Sequence, residues 1–219
     1  MPDRPIIFSG PMVRALLDGR KTQTRRVLGN SGRRNGQSNI FNADIGWSDS
    51  YVMDPGNAWW RDRYTPYATG DRLYVREHWR CEARFDHLAP RNIPNDIPIY
   101  FAADTDPSDS EPGCAGRFRQ GRHMPRWASR LTLTVTDVRV QRLQEISAAD
   151  SIAEGIQCET CAAMGQSACH GAGCFASLVA FRVLWNSLHG PEAWDANPWV
   201  AAATFTVQHG NIDQIGGGS

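Results

Sequence analysis

The alternation of apolar and polar residues along the chain predicts five main strands. A short apolar run covers 4–9, and a second extended segment follows at 22–28. Alternation with a period of two runs through 70–79, and the longest such pattern covers 130–143. The last pattern, at 197–208, again places apolar side chains at every second position. Strands are therefore expected at both ends and in the middle of the chain.

Helical patterns separate these strands. Ser9 is a candidate N-cap, and the apolar stripe that follows it ends near Gly19, a residue type that commonly terminates helices. A short helix is predicted over 147–155, where a serine and an acidic residue three positions later have the spacing of a capping box. A longer amphipathic helix is predicted over 174–190.

The remaining segments are irregular. Residues 29–69 and 81–124 have no sustained periodicity and are predicted as insertions, the second with one short strand at 98–102. In the longest strand pattern, the apolar positions change parity near Asp137, which predicts a bulge or strong bend. We therefore expect an α+β fold in which a small, strongly bent sheet or barrel carries flanking helices.

The overall charge excludes binding to a polyanion through a net positive field. The 23 Lys and Arg residues equal the 23 Asp and Glu residues, so any contact with nucleic acid needs a local patch. The best candidate is 116–130, which contains five arginines and two interleaved aromatic residues, Phe118 and Trp127. The acidic segment 104–111 balances it, so two solvated loops of opposite charge are the alternative.

The chain has no sequence pattern of a membrane or secreted protein. No apolar run approaches the roughly 18 residues that a membrane span needs. The first ten residues lack the apolar core of a signal peptide. We therefore expect a soluble intracellular protein. The terminal GGGS, residues 216–219, has the composition of an appended linker and is not expected to belong to the fold.

Four cysteines have the spacing of a metal site, C-x2-C-x7-C-x4-C. They are Cys158, Cys161, Cys169 and Cys174. In an intracellular chain, this spacing favours a tetrahedral structural zinc ion over disulfides, because a site closed by four thiolates stabilises a loop and leaves no position for catalysis. His170 is an alternative ligand to Cys169, and free thiols or disulfides are the alternatives to zinc. Cys81 and Cys114 are expected to be ordinary buried or loop thiols.

Lys21 is the single lysine among the 23 basic residues. A lysine in a partly dry pocket has a lowered pKa and can act as a base toward a neighbouring hydroxyl, here Thr22 or Thr24. Alternation places Glu77 on the apolar face of its strand, where a carboxylate needs a partner or a catalytic role. The structural alternative is a Lys21–Glu77 ion pair, with Thr24 as an ordinary strand residue.

Four stretches together resemble the ASCH domain family, particularly the type common in phages and prophages. They are FSGPMVRALLDGRKTQTRR, GDRLYVREHW, RWASRLTLTVTDVRVQRLQEIS and NPWV. The most specific elements are G-x-K-T-x-T-R and G-D-x-L-x-V-R-E-x-W. ASCH domains have a PUA-like β-barrel with flanking helices. The resemblance therefore implies one domain over 1–215, with insertions at 29–69 and 81–124 and a cysteine-rich loop at 157–175 as an elaboration.

The resemblance also implies an activity. PUA-like domains are generally associated with RNA or modified nucleotides, and one branch of the family, the N(4)-acetylcytidine amidohydrolases, is similar at Lys21, Thr24 and Glu77. This implies hydrolysis of the amide bond of an acylated nucleobase, with Thr24 as nucleophile, Lys21 as its base and Glu77 as proton donor. Zinc would be structural, and no cofactor is expected in catalysis.

Five further residues are expected to position the substrate, by contacts of arginine with phosphate or base edges and by stacking of tryptophan on a base. They are Arg25, Arg26, Arg76, Trp79 and Trp127. Surface ion pairs and core tryptophans are the alternatives for these residues. The partner would be a modified nucleoside, RNA or another single-stranded nucleic acid in the cytoplasm of a bacterium or phage-infected cell. The alternative functions are a non-catalytic module that binds RNA or modified or single-stranded DNA, and an accessory protein with a protein partner.

Overall fold

A computed structural model gives the fold of most of the chain. It describes residues 3–28, 49–54, 56, 65–104, 114–157 and 175–215. The four cysteines of the predicted zinc site, His170 and the terminal GGGS lie outside the described residues.

The described elements follow the predicted order. The strands are β1 (Asp3–Ile7), β2 (Gln23–Val27), β3 (Arg72–Arg76), β4 (Trp79–Arg80), β5 (Tyr100–Phe101), β6 (Leu131–Arg142) and β7 (Trp199–His209). The α-helices are α1 (Gly10–Leu17), α2 (Asp49–Met53), α3 (Ala148–Ala153) and α4 (Phe175–His189). The predicted strands and helices are confirmed within these bounds. Helix α2 is an addition, because no periodicity predicted it.

Five strands form one mixed sheet in the order β1-β3-β6-β7-β2, and β4 pairs with β5 in a second, two-stranded sheet. Strand β1 runs parallel to β3, whereas β3 with β6 and β2 with β7 are antiparallel. The mixed α and β class is confirmed. The predicted barrel is not confirmed, because the described strands form an open sheet with β1 and β2 at its two edges.

The chain divides into two compact units. The first unit comprises Met1–Arg20, Gly70–Val135 and Thr206–Ser219, and the second comprises Lys21–Thr69 and Thr136–Phe205. Both β6 and β7 contribute residues to each unit, so the units are not successive pieces of the chain.

The division within β6 coincides with the predicted change of parity. Leu131, Leu133 and Val135 are buried before it, whereas Thr136 and Asp137 are both exposed. Two exposed neighbours break the alternation of a regular strand and shift the inward positions by one residue. The predicted change is therefore confirmed by the burial pattern.

The residues at the helix ends form the capping hydrogen bond and adopt the glycine conformations that the sequence predicts. The Ser147 hydroxyl accepts a hydrogen bond from the backbone N–H of Asp150 at 3.0 Å, which satisfies a donor that α3 cannot pair internally. Gly155 follows the C-cap residue of α3 and has a φ of 88°. Gly19 similarly follows α1 with a φ of 70°, a conformation that L side chains rarely adopt.

The core of the first unit includes a hydrophobic cluster to which the insertion 81–124 contributes several residues. Trp79, Cys81 and Met124 are buried there together with Ile93 and Ala128. Cys81 is thus an ordinary buried thiol, as predicted, while Cys114 is an exposed thiol of the loop.

The core of the second unit consists of two clusters. One is formed by Leu28, Val52, Trp199 and Ala201. The other packs α4 against the sheet through Phe181 and Trp185, which contact Leu143, Ile146 and Val200. Among the described residues, no helix is long and apolar enough to cross a membrane.

Truncation of Phe181 tests the packing of α4. We expect Phe181→Ala to lower the free energy of unfolding by about 3–5 kcal/mol, because it removes a buried ring and leaves a cavity. Val183 on the same helix is 65% exposed, so Val183→Ala is the matched control and should change stability by no more than about 0.5 kcal/mol. Urea denaturation followed by tryptophan fluorescence measures both. Equal losses in the two variants would contradict the packing described here.

Candidate functional site

Lys21 is held at the start of the second unit by backbone bonds on two sides. It forms an isolated antiparallel bridge with Glu154, which follows helix α3. The next residue, Thr22, donates its N–H to the carbonyl of Ala153 at 2.8 Å and accepts from the N–H of Phe205 at 2.9 Å. The single lysine therefore lies next to the end of α3, and the residue after it is bonded to strand β7.

Lys21 is 1% exposed, and its ammonium group donates to three acceptors. Nζ donates to the backbone carbonyls of Gln23 at 2.9 Å and Glu154 at 2.8 Å, and to the Glu154 carboxylate at 2.9 Å. These three acceptors match the three donors of a protonated lysine. The contacts therefore stabilise the charged form of the group.

Burial acts in the opposite direction. The pKa of Lys21 lies below its ordinary value of 10.5, first because burial disfavours the charged amine. The charge and hydrogen bond of Glu154 act to raise this pKa, and the neighbouring cations Arg26 and Arg25 act to lower it further. The proton on Lys21 is thus held less firmly than on an exposed lysine, which is the direction that a general base requires.

Arg25 joins the same buried network from β2. Its Nη1 donates to the Glu154 carboxylate at 3.0 Å and to the Gln23 side-chain oxygen at 2.6 Å. Its Nη2 lies 3.2 Å from Oδ2 of Asp150, and the other carboxylate oxygen of Asp150 accepts a hydrogen bond from Arg139. Glu154 therefore bridges two buried cations, one through each carboxylate oxygen.

Thr24 lies on the same strand and is also 1% exposed. Its hydroxyl oxygen accepts a hydrogen bond from Nη1 of Arg26 at 3.1 Å. A cationic donor at this distance favours the deprotonated form of a hydroxyl, because it stabilises negative charge on the oxygen. Strand β2 thus places the Thr24 hydroxyl beside Arg26 on one face, whereas Gln23 and Arg25 contact each other on the opposite face.

Glu77 lies in the first unit, just after β3, and is 1% exposed. Arg130 pairs with it in a two-pronged contact, Nε at 2.9 Å from one carboxylate oxygen and Nη2 at 3.0 Å from the other. Burial raises the pKa of Glu77, while its bonds with Arg130 act to lower it. The prediction that this inward carboxylate needs a partner is confirmed, and its role as proton donor stays a prediction.

The two predicted ionic groups have partners that the sequence did not indicate. The carboxylate paired with Lys21 is Glu154, and the cation paired with Glu77 is Arg130. A weak signal existed for Glu154, because an acidic residue at a helix C-terminus opposes the helix dipole and needs another stabilising contact. Arg130 gave no such signal among the five arginines of 116–130.

The predicted substrate-positioning residues divide between core and surface. Arg25 is buried and forms ion pairs with Asp150 and Glu154, so it agrees with the alternative prediction of an ion pair and has no exposed surface for a substrate. Trp79 is fully buried with the Arg119 guanidinium 5.3 Å from its ring centre, so a base cannot stack on it in this structure. Trp127 is half-buried against the same cluster, and Arg26 and Arg76 are half-buried. Only the last three keep exposed surface for a ligand.

The described residues hold no group of three or more His, Cys, Asp or Glu side chains arranged to bind a metal ion. The zinc prediction rests on cysteines outside these residues, so it stays a prediction. The described candidate site is mainly ionic and includes the Thr24 hydroxyl.

Comparisons with known proteins include a distant structural similarity. No protein-family model matches the chain, and no curated protein matches it. The chain is similar to the crystal structure of protein EF3133 from Enterococcus faecalis V583, whose description gives the family DUF984. The alignment covers 97% of this chain and 83% of that one, with 10% identity and a TM-score of 0.41. This similarity assigns no role to any residue of the site.

Neutralising Glu154 tests the buried network. We expect Glu154→Gln to lower the free energy of unfolding by about 3–5 kcal/mol, because it leaves the buried charges of Lys21 and Arg25 without their shared carboxylate. Asp195→Asn is the matched control, since Asp195 pairs with Arg182 in solvent and should contribute less than about 1 kcal/mol. Chemical denaturation measures both. A decrease below about 1 kcal/mol in Glu154→Gln would contradict the dependence on this pair.

The lowered pKa of Lys21 predicts a pH dependence of stability with a definite sign. Between this lowered value and 10.5, the unfolded chain binds the Lys21 proton more than the folded chain does, so stability rises with pH. We expect the stability difference between wild type and Lys21→Met to shift in favour of wild type as pH rises through that window. Urea midpoints of both proteins at several values above pH 7 measure the difference. A constant difference, or a shift in favour of Lys21→Met, would contradict it.

Proposed function

We propose that this protein is a hydrolase that removes an acyl group from the exocyclic nitrogen of a modified nucleobase, such as N(4)-acetylcytidine. The observation that supports the proposal is the buried Lys21 with a lowered pKa on the same segment as a threonine hydroxyl bonded by Arg26. We include in the proposal the finer part of the sequence resemblance, a place among the phage-type ASCH proteins.

The proposed chemistry uses the two residues of this segment directly. Neutral Lys21 accepts the proton of the Thr24 hydroxyl, whose oxygen forms a bond to the acyl carbon. The carbon–nitrogen bond then breaks, and the departing nitrogen takes the proton that Lys21 accepted. The proton-donor role that the sequence resemblance implies for Glu77 is tested separately. Water finally hydrolyses the acyl–threonine ester, which releases the carboxylic acid and restores the hydroxyl.

A neighbouring cation supports this chemistry electrostatically. Arg26 donates to the Thr24 hydroxyl oxygen, which stabilises negative charge on that oxygen as its proton leaves. Because Thr24 is buried, a substrate reaches its hydroxyl only after a neighbouring group moves. Arg26 is half-buried and directly bonded to the hydroxyl, so we propose that its guanidinium shifts toward the carbonyl oxygen of the acyl group when the substrate enters.

One observation favours a second candidate, a non-catalytic module that binds RNA or modified or single-stranded DNA. All three donor positions of Lys21 are occupied by acceptors, an arrangement that also suits a permanently charged structural lysine. On this alternative, Lys21 and Glu154 stabilise the second unit and take part in no reaction.

A hydrolysis assay with paired threonine variants separates the two candidates. We expect wild type to release cytidine and acetate from N(4)-acetylcytidine, detected by chromatography within a panel of N-acylated nucleosides. Thr24→Val keeps the shape of the side chain without its hydroxyl and should lower the rate at least about 100-fold. Thr24→Ser keeps the hydroxyl and should retain most of the activity. The rate should rise with pH through the lowered pKa of Lys21, because the base must be neutral.

Folding of each variant is checked by urea denaturation, and Glu77→Gln tests the proposed proton donor separately. Absence of turnover by folded wild type on every N-acylated nucleoside would overturn the hydrolase proposal and favour the binding module. Equal rates for Thr24→Val and Thr24→Ser would remove Thr24 as the nucleophile.

A further inference from the structure

A row of alternating charges connects the buried Lys21 with the surface of the second unit. The Glu154 carboxylate accepts from Lys21 at 2.9 Å through one oxygen and from Arg25 at 3.0 Å through the other. Nη2 of Arg25 lies 3.2 Å from Oδ2 of Asp150, and Oδ1 of Asp150 accepts from Arg139 at 3.0 Å. These five side chains, here called the charge row, form a continuous series of ion pairs.

The charge row leads from the interior to solvent. The side chains of Lys21 and Arg25 are 2% and 0% exposed, whereas those of Asp150 and Arg139 are 17% and 47% exposed. Burial acts to raise the pKa of Asp150, but hydrogen bonds with Arg139 and Ser147 and the charge of Arg25 hold that pKa below its ordinary value. Asp150 is therefore ionised at neutral pH.

The inner end of the charge row lies on groups that act on the Lys21 proton. Burial lowers the pKa of Lys21 most. Of the charged groups that face it, Glu154 at the end of α3 raises this pKa, and Arg26 and Arg25 on β2 lower it. Two of these three groups, Glu154 and Arg25, belong to the charge row. A change farther along the row therefore reaches the lysine through its direct neighbours.

Neighbouring pairs in the row are coupled, because each inner charge divides its contacts between two partners. Arg25 contacts both Glu154 and Asp150, and Glu154 contacts both Lys21 and Arg25. When Asp150 loses its charge, Arg25 attracts the Glu154 carboxylate more strongly. Glu154 then stabilises the Lys21 ammonium less well, and Lys21 releases its proton more easily.

Removal of the outermost charge has the opposite effect. Without Arg139, the Asp150 carboxylate binds Arg25 more strongly, so Arg25 attracts Glu154 less. Glu154 then holds the Lys21 ammonium more firmly. The effect on the lysine therefore changes sign from one position of the row to the next.

We propose that Asp150 and Arg139 set how readily Lys21 releases its proton. Arg25 and Glu154 transmit the effect, so Asp150 and Arg139 are positioning residues of the site and touch no reacting atom. The consequence for activity rests on the proposed hydrolase, in which neutral Lys21 is the base. The consequence for protonation rests on the ion pairs alone.

A purely structural role of Asp150 is the alternative. Asp150 also belongs to the capping box of α3, where its carboxylate accepts from the N–H of Ser147 at 3.4 Å. Asp150→Asn removes the charge but keeps an oxygen that can accept this bond. Ser147→Ala is the matched control, because it removes the hydroxyl that caps the Asp150 N–H and leaves every charge of the row in place.

The single lysine makes the test direct. In the full chain labelled with ¹³C-lysine, the Cε resonance comes from Lys21 alone, so a pH titration followed by NMR gives its pKa. We expect Asp150→Asn to lower this pKa by about 0.5 to 1, less than the roughly 1 to 3 that a contacting charge produces. Arg139→Gln should raise it by about 0.2 to 0.7, the equivalent of an exposed ion pair. Ser147→Ala should leave it unchanged.

A repeat at high salt separates transmission through contacts from a long-range field. At about 1 M salt the screening length is about 3 Å, so charges separated by solvent no longer interact. The lowering in Asp150→Asn should persist there, because the inner pairs of the row are buried. Urea denaturation confirms that each variant is folded, and Arg139→Gln, at the surface, tests the sign independently of the stability of Asp150→Asn.

Four results would overturn the proposal. They are an unchanged Lys21 pKa in folded Asp150→Asn, shifts of the same sign in Asp150→Asn and Arg139→Gln, an equal shift in Ser147→Ala, and loss of the Asp150→Asn shift at high salt. None of these measurements needs turnover, so an inactive wild type would overturn the hydrolase alone. With an active wild type, the pH at which the rate rises should move with the measured pKa in each variant.

Discussion

Burial of the Lys21 charge is the constraint on which the second unit depends. An amine removed from water loses solvation, and here two carbonyls and one carboxylate replace it. The same carboxylate, on Glu154, also binds Arg25, so a single acidic side chain holds strand β2 against the end of helix α3. Any reactivity of Lys21 depends on this balance, because burial weakens its hold on the proton and Glu154 strengthens it.

The first unit also contains a buried charge that is neutralised by an ion pair, but not all of its arginines are paired in this way. Glu77 is buried against Arg130, which also pairs with Asp104. A few positions away, however, Arg76 and Arg122 have no carboxylate partner among the described residues: Arg76 donates to Tyr74, and Arg122 donates to His123. Ion pairs inside the protein stabilise its fold, whereas charge left without a carboxylate can bind a ligand.

Much of the local structure was predictable because it depends on neighbouring residues. The capping box at Ser147, the glycine after α1 and the change of parity at Asp137 are patterns within a few positions, and each is confirmed. The inward direction of Glu77 followed from strand alternation alone. Helix α2 was missed, since five residues are too few for a helical periodicity to be visible.

The sequence by itself determined the order of strands and helices and the burial of Glu77. It also placed the single lysine, Lys21, just after the end of helix α1. These features could be predicted because periodicity and residue chemistry depend on neighbouring positions in the chain. Only the tertiary structure decided which charges meet. Glu154 contacts Lys21 across 133 positions, and Arg130 contacts Glu77 across 53. Such pairs depend on how distant segments pack, and the same packing buries Trp79 while it leaves Phe118 exposed. A chain with 22 arginines offers many possible partners for each carboxylate, and packing selects among them.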